Sequence, residues 1–306
     1  MSSRFLKNTT GALRALASRQ YTSIPSAAGK RTNSYGLLHY AGRSGDHNDK
    51  AVLATPILTS HLSSALELGP IVIGQPEKAL NGRWKEELQA ALPNYHSISR
   101  ELNKILLEGK KPVIALSRCS VALATLPIIA KHTPDVVVVW FDAHGDLNTP
   151  ENSSTGFLGG MALSGPVGLW DPRITTDGKN IREENVILVG SRDLDECEKE
   201  LIDQGKIKLI APTKKYNIVR ELVDAAKGKK VFIHLDCDVL EPGMVPTDYK
   251  VPNGLSLQQL QSAIQGLAES CDVLGIELSE LEYGDNEEQT QMAAETLVDT
   301  IKPLLA

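Results

Sequence analysis

Two short clusters of acidic residues could carry out chemistry in this chain. The first occupies positions 142–146 and follows the apolar run 136–141; the second occupies 236–238 and follows the run 231–235. Side chains two and four residues apart point to the same side of an extended strand, so each cluster offers a convergent set. Four carboxylates and an imidazole in one crevice would repel one another unless cations lay among them. We therefore predict a metal site formed by Asp142, His144, Asp146, Asp236 and Asp238.

The number of donors indicates more than one ion. Five oxygen and nitrogen donors are too many for one catalytic ion with an open position, but they suit two ions bridged by shared carboxylates, roughly 3.5–4 Å apart. A carboxylate-rich set favours manganese over zinc, although affinity alone leaves nickel, cobalt and iron open.

A polar turn after a strand is the structural alternative for an isolated Asp-x-His-x-Asp segment. Two such clusters, each ending an apolar strand, favour a binding site, because open parallel sheets bind ligands at the carboxyl ends of their strands.

These residues also carry a family resemblance. Segments 141–150 and 234–242 resemble the second and third signature motifs of the ureohydrolase superfamily, the arginases and agmatinases, in family order and spacing from about residue 36 onwards. The resemblance implies two manganese ions bridged by Asp142 and Asp236. His144 and Asp238 would bind one ion and Asp146 the other.

The resemblance also implies how a substrate is held. Glu280 falls where the family's glutamate contacts the guanidinium group, and Asp195 falls where arginases place an aspartate near the substrate's amino group. Asn148 and Thr155 belong to the same implied substrate-binding set. Asp146 and Glu280 are the expected catalytic residues.

Two departures from the family pattern bear on the chemistry. The first family motif, Gly-Gly-Asp-His-Ser, is replaced by the segment 116–120, in which Cys119 stands where the metal-binding histidine should be. A thiolate is a soft ligand that suits manganese poorly, so we expect one ion to be weakly held or of another kind. Gly159 and Phe157 stand where arginases carry a proton-shuttling histidine and a carboxylate-binding asparagine. Free arginine is therefore a less secure substrate than the family name implies.

Composition narrows the protein class. The chain has 306 residues, 42% hydrophobic residues and a net charge of −6, as in an ordinary enzyme, with no basic surplus for nucleic acid. No apolar run approaches the ~20 residues that span a membrane. The four cysteines are far apart, so we expect neither a secreted disulfide scaffold nor a paired-cysteine zinc site.

The first 35 residues differ from the rest. Basic residues alternate with Ser, Thr, Leu and Ala, and the first acidic residue is Asp46. This composition predicts a mitochondrial targeting segment that directs residues 36–306, the catalytic domain, to the matrix. A disordered basic tail is the alternative, and the protein would then be cytoplasmic.

Hydrophobic periodicity predicts alternating strands and helices, hence a three-layer α/β/α fold with a mainly parallel central sheet. We expect strands at 70–74, 112–116, 136–141, 185–190, 206–210, 231–235 and 273–278. We expect helices at 84–106 (broken near Pro93), 121–131, 216–227, 256–270 and 288–305.

The sequence therefore favours a binuclear manganese hydrolase that cleaves a guanidino C–N bond to an amine and urea. Its partners would be a small guanidino substrate and, by resemblance, further copies of itself in a trimer or hexamer. A catalytically weak relative acting as a sensor or assembly subunit is an alternative, motivated by Cys119 and Gly159. A two-metal phosphoesterase is a further one, disfavoured because no Arg or Lys cluster is available to hold phosphate.

Overall fold

The computed structural model describes residues 34–174, 177–212 and 217–305, which form a parallel sheet covered by helices on both faces. In these residues the strands are β1 Tyr35–Tyr40, β2 Ile71–Ile73, β3 Lys111–Ala115, β4 Val137–Phe141, β5 Val186–Val189, β6 Lys208–Ile210, β7 Lys230–Asp236 and β8 Asp272–Ser279. The α-helices are α1 Lys50–Leu66, α2 Trp84–Leu107, α3 Ala122–His132, α4 Glu196–Asp203, α5 Ile218–Ala226, α6 Leu257–Ser270 and α7 Glu287–Ile301. The predicted three-layer fold is confirmed.

The strand order is β2-β1-β3-β8-β7-β4-β5-β6, with every pair parallel. The four central strands, β3, β8, β7 and β4, therefore lie side by side and end at the same edge. Residues from all four segments that follow these strands can meet there, which is where ligands bind in open parallel sheets.

Apolar side chains fill both faces of the sheet. Val137, Val139 and Phe141 of β4 pack toward α1, α5, α6 and α7, whereas Val138 and Trp140 pack toward α2 and α3. Burial on both faces explains why the central strands are continuous apolar runs rather than alternating patterns. The two apolar layers hold the sheet rigid beneath the acidic residues at its edge.

Helix α2 departs from the prediction, because it continues through Pro93 as one helix of 24 residues. A proline inside a helix removes a hydrogen bond and costs about 3 kcal/mol. The buried face on either side of it, which includes Leu88, Ala91, Tyr95 and Ile98, outweighs that cost.

The C-terminal helix is shorter than predicted. It ends at Ile301 and is followed by a 3₁₀ turn, Lys302–Leu304, because Pro303 lacks the N–H that the next helical turn requires. The remaining predicted elements are present with ends shifted by a few residues. Residue 216, the predicted start of α5, and the targeting segment, apart from its last two residues, lie outside the described residues.

Three elements were not predicted. Strand β1 contains Gly36 and His39, α1 contains Pro56, and α4 has only eight residues. Among the helices of the described ranges, none combines the length and apolar character required to cross a membrane.

Candidate metal centre and substrate pocket

The acidic residues predicted from sequence converge at the carboxyl edge of β4 and β7. Asp142 follows β4, Asp236 ends β7, and Asp238 lies in the 3₁₀ turn Cys237–Val239. All three carboxylates are buried. The His144 Nδ1 atom lies 3.2 Å from both an Asp142 and an Asp238 oxygen, so it joins the two clusters.

Backbone amides orient these carboxylates. Asp142 Oδ1 accepts from the His144 amide at 2.6 Å, Asp236 Oδ1 from the Asp238 amide at 2.6 Å, and Asp238 Oδ1 from the Ala143 amide at 3.0 Å. In each cluster the first carboxylate therefore accepts a backbone hydrogen bond from the residue two positions later, and one further backbone hydrogen bond, from Ala143 to Asp238, links the two clusters. The result is a fixed array of oxygen atoms directed at the sheet edge.

Burial makes this array electrostatically strained. The pKa values of Asp142, Asp146 and Asp236 are raised, first by desolvation and then by neighbouring carboxylates. Burial also opposes ionisation of Asp238, but the hydrogen bond from His144 outweighs it and lowers the pKa of Asp238. Burial lowers the pKa of His144, and its bonds to Asp142 and Asp238 overcome this and raise it to about 12.

Asp146 also supports the interpretation of a cation site. It is buried and has a left-handed backbone with φ of 53°, and burial, followed by the charge of Asp142, raises its pKa well above the ordinary value. A buried carboxylate beside like charges is costly unless a cation compensates it. The loop that carries it is fixed by Glu198, which accepts from the Leu147 amide at 2.9 Å and packs against Gly145.

Three overlapping groups of side chains are close enough to share an ion. One contains Asp142, His144 and Asp238, and a second contains Cys119, Asp236 and Glu280. The third contains Cys119, Asp142 and His234. Asp142 belongs to two groups, as expected of a bridging ligand, and the donor chemistry fits divalent metal ions.

Cys119 lies inside the site rather than beside it. Its thiol is 3.0 Å from Asp236 Oδ2 and 3.0 Å from the Ser279 hydroxyl, in a 3₁₀ turn that follows β3. Burial, followed by the charges of Asp236 and Glu280, raises the pKa of this thiol well above its ordinary value. Residue 119, which stands where the family has its metal-binding histidine, therefore provides a sulfur donor atom beside the acidic cluster.

Glu280 is already bound to a guanidinium group of the chain itself. Its Oε2 accepts from Arg118 at 2.7 Å, and its Oε1 accepts from the Cys119 amide at 2.8 Å. The buried Arg118 also donates to Asp46 at 3.0 Å and to Glu282 at 3.1 Å. Burial lowers the pKa of Arg118, but these carboxylates, Glu280 foremost, raise it well above its ordinary value.

The residues predicted to bind substrate do not all lie together in the structure. Asn148 Nδ2 donates to Asp195 at 2.7 Å, so these two are paired, and Asp195 lies at the N-terminus of α4. Thr155 is exposed, and its hydroxyl accepts from the Phe157 amide at 3.2 Å. Segment 147–168 contains a 3₁₀ turn at Gly159–Met161 and is largely buried in its second half.

An aromatic rim, defined as His47, Phe157 and Tyr249, lies against His144 of the acidic cluster. The His47 ring stacks on Phe157 with centroids 4.0 Å apart, and the Tyr249 ring lies edge-on to His144 at 5.0 Å. His47 Nδ1 lies 3.3 Å from an oxygen of Asp248. His47 carries no local sequence signal for this position, because its partner Asp248 is 201 residues away along the chain.

Arg192 was missed altogether. Its guanidinium donates to the carbonyls of Gly190, Asp238 and Val251 at 2.7–3.0 Å, among others, and so joins the loop after β7 to the loop after β5. Only the three-dimensional arrangement reveals this role, because the acceptors are backbone atoms without a sequence signature.

Comparison with known proteins shows the family to which the chain is similar. Residues 72–302 match the sequence model described as the arginase family. The chain is 37% identical over 231 residues to N(omega)-hydroxy-L-arginine amidinohydrolase of Streptomyces lavendulae, covering 76% of this chain and 82% of that one. It is 30% identical over 248 residues to arginase of Bacillus subtilis strain 168, covering 77% and 83%.

Solved structures agree on the fold. Arginase from Bacillus cereus superposes with a TM-score of 0.77 at 24% identity, covering 89% of this chain and 98% of that one. Arginase from Bacillus caldovelox, in its native structure at pH 5.6, gives a TM-score of 0.75 at 24% identity, covering 88% and 97%.

Proposed function

The chain belongs to the arginase family, and we propose that it is a binuclear metal hydrolase that cleaves a guanidino C–N bond to release urea and an amine. The observation that carries the proposal is the set of buried carboxylates Asp142, Asp236 and Asp238 at the edge of β4 and β7, with the half-buried His144 between them and Asp146 beside them. Two divalent ions, manganese in the first instance, would be held by these residues. When bound, they would lower the pKa of water enough to supply a nucleophile at neutral pH.

The protein's own residues have distinct roles in this chemistry. Asp146, whose pKa is raised by burial and by the charge of Asp142, would accept the proton lost by the attacking water. Glu280 would face the substrate's guanidinium group. A carboxylate has about four acceptor positions, and Arg118 and the Cys119 amide use two, so two remain for the substrate.

The leaving nitrogen must receive a proton. The overall change, R–NH–C(NH₂)₂⁺ plus water giving R–NH₃⁺ plus urea, conserves atoms and charge. When the C–N bond breaks, its electron pair stays on nitrogen, which then takes a proton from a nearby acid. Gly159 cannot supply it, and a Cβ there would collide with the Phe157 ring, whose Cζ lies 2.8 Å from that position.

We propose that His47 donates the proton to the leaving nitrogen. Its ring stacks on Phe157, the ring that fills the space beside Gly159, and Asp248 binds Nδ1, so Nε2 has no partner among the described residues. His144 and His234 are engaged in the buried cluster, whereas His61 and His132 bond to Gln291 and Asn103 on helices. His47 is therefore the imidazole on the aromatic rim that can face a substrate.

The substrate class follows from the rim. Phe157 offers an apolar ring where an asparagine would bind an amino-acid carboxylate, and Asp195 is paired with Asn148. We expect the enzyme to accept guanidino compounds whose far end suits an aromatic surface. The relative from Streptomyces lavendulae is named for an N-hydroxylated arginine, so that compound belongs in the test.

The decisive experiment uses manganese-loaded protein, with Asp236→Asn as the control. It measures the urea released from L-arginine, agmatine and 4-guanidinobutanoate, and the hydroxyurea released from Nω-hydroxy-L-arginine, whose hydroxyl group stays on the released fragment. We expect urea or hydroxyurea from at least one compound with the native protein and neither product with the variant. Absence of both products from the whole panel, with metal bound, would contradict the proposal.

A ligand-binding role without turnover is the second candidate, favoured by the Arg118 bond to Glu280. Calorimetry on the same four compounds separates the two. Binding without release of urea or hydroxyurea would establish the ligand-binding role, whereas release of either product excludes it.

We also retain the mitochondrial matrix as the proposed location and a homo-oligomer as the proposed assembly. The acid-free basic composition of the first 35 residues supports the former. Ile71 and Val72 on the edge strand β2 are exposed, at 42% and 46%, and support the latter.

A further inference from the structure

A buried histidine lies directly against the cysteine that replaces the family's metal-binding histidine. His234 Nε2 is 3.2 Å from Cys119 Sγ, and both residues are fully enclosed. His234 belongs to β7, two residues before Asp236, and Cys119 follows β3, so the two side chains come from different strands of the sheet. An imidazole nitrogen is therefore present near position 119 although the residue at 119 is not histidine.

The other ring nitrogen of His234 fixes its orientation. Nδ1 is 2.8 Å from Glu277 Oε1, and the second Glu277 oxygen accepts from the Thr125 hydroxyl at 2.7 Å. Because a carboxylate accepts, Nδ1 carries the proton and the Nε2 lone pair points toward Cys119 and Ser279. Metal-binding histidines almost always donate their second N–H to such a partner.

Packing holds the ring in this orientation. The indole of Trp140 stacks on His234 with centroids 3.5 Å apart and an angle of 5° between the planes. The same indole donates to Asp142 Oδ2 at 2.9 Å. Trp140 thus positions the imidazole and the carboxylate together, as a rigid metal site requires.

The spacing of the three donors suits an ion. Cys119 Sγ, a His234 nitrogen and an Asp142 oxygen all lie within 4.8 Å of one another. Typical zinc bond lengths of ~2.3 Å to sulfur and ~2.0 Å to nitrogen place those two atoms roughly 3.5 Å apart at a tetrahedral angle. The observed sulfur-to-nitrogen distance of 3.2 Å is close to that value.

We propose that Cys119, His234 and Asp142 form a sulfur, nitrogen and oxygen site for an ion softer than manganese, such as zinc, cobalt(II) or iron(II). The two positions of the metal centre would then differ, because the His144, Asp142 and Asp238 position is oxygen-rich. The inference concerns one half of the centre in the proposed function. Its test does not depend on turnover.

Full-length protein stripped of metal is titrated with cobalt(II) and followed by absorption and paramagnetic NMR. We expect a thiolate-to-cobalt charge-transfer band, lost in Cys119→Ser. We also expect a hyperfine-shifted, slowly exchanging N–H signal from the His234 proton bonded to Glu277. This signal should be lost in His234→Gln, and the affinity of this position for cobalt should be about 100-fold weaker in that variant. Zinc should compete with cobalt here more effectively than manganese does.

Two matched controls use residues remote from the cluster. The control variants are Cys271→Ser, at the end of α6, and His132→Gln, at the end of α3. Both should leave the charge-transfer band, the shifted N–H signal and the cobalt affinity unchanged. Unchanged cobalt affinity and NMR signal in His234→Gln would overturn the assignment and leave His234 as a hydrogen-bonding residue. If that variant does not fold, the absorption spectrum of the cobalt-loaded native protein is the test, because a spectrum without a thiolate band refutes the site. A thiolate band in the native protein, with neither urea nor hydroxyurea released from any compound, would refute the proposed function alone.

Discussion

Replacing Arg118 with methionine should destabilise the protein more than almost any other single change at the site. The guanidinium group is 3% exposed and bonds three carboxylates, those of Asp46, Glu280 and Glu282, at 2.7–3.1 Å. Methionine fills a similar volume but removes the positive charge, so three acids are left without their common partner. Removing one member of a buried ionic network typically costs about 3–5 kcal/mol, and we expect the free energy of unfolding to fall by an amount in this range.

The assay is urea-induced unfolding in the presence of a chelator, so that bound metal adds nothing to the measured stability. A loss of 3–5 kcal/mol corresponds to a fall in Tm of roughly 6–20 °C for a domain of this size. Arg118→Lys, which keeps one charge but not the planar fork, should give an intermediate loss. It also keeps the test open if the methionine variant does not fold.

Arg182→Met is the matched control. Its guanidinium is 55% exposed and lies 3.1 Å from Asp135 and 3.5 Å from Glu184, both of them exposed. Exposed ion pairs contribute little, so this variant should change the free energy of unfolding by less than about 0.5 kcal/mol. An Arg118→Met loss below about 1 kcal/mol would refute the argument, because it would mean that the three carboxylates do not depend on the buried cation.

The remaining predictions address the metal bridge, the proton donor and the leader. Asp142→Ala or Asp236→Ala should abolish metal binding at both positions, measured as metal per chain, because the family resemblance makes each carboxylate a bridge; retained stoichiometry in either variant contradicts bridging. His47→Gln should lower kcat by about 10²–10⁴ with little change in KM and should be rescued by added imidazole. His96→Gln, exposed on α2, should behave as wild type, and equal activity of the two variants would remove His47 from the reaction. A reporter carrying residues 1–35 should enter mitochondria and should stay outside when Arg4, Arg14 and Arg19 are changed to Glu; import of both fusions would favour an untargeted basic tail.

The central strands could be predicted because each is buried on both faces and ends abruptly in polar residues. Strands β4 and β7 are apolar runs followed by acidic clusters, a change in polarity that marks the edge of a parallel sheet. Strand β1 lacks such a signal, because Gly36 and His39 interrupt its apolar pattern. Helix α1 contains Pro56, and no side chain caps its first turn.

Helix α4 could have been found from its capping box. Asp195 and Glu198 have the Asp-x-x-Glu spacing of a helix start, and the Glu198 side chain accepts from the Asp195 amide at 2.9 Å. The family resemblance implies a substrate role for Asp195, whereas in the structure the residue begins a helix. The buried Glu198 then holds the metal-site loop through the Leu147 amide.

The bonds of Arg118 could not be predicted from local sequence. Its partners come from the loop after β1 and the segment after β8, and residue 118 is 72 residues from Asp46 and 162 from Glu280. The same limit applies to His234 and Cys119, which are 115 residues apart and meet only because β8 lies between β3 and β7. Sequence identified the residue types, and strand order decided which of them touch.

Both departures from the family pattern are accompanied by an imidazole from elsewhere in the chain. His234 lies beside Cys119, and His47 stacks on the ring that fills the space next to Gly159. The buried carboxylates themselves oppose a silent role, because burial raises the pKa values of Asp142, Asp146 and Asp236 and a metal-free chain has to bear that electrostatic cost. Neutral residues at these positions would relieve the cost at once in a protein that bound no metal. The retained acids and the two relocated imidazoles together favour a working metal centre with altered ligands over a centre that has been lost.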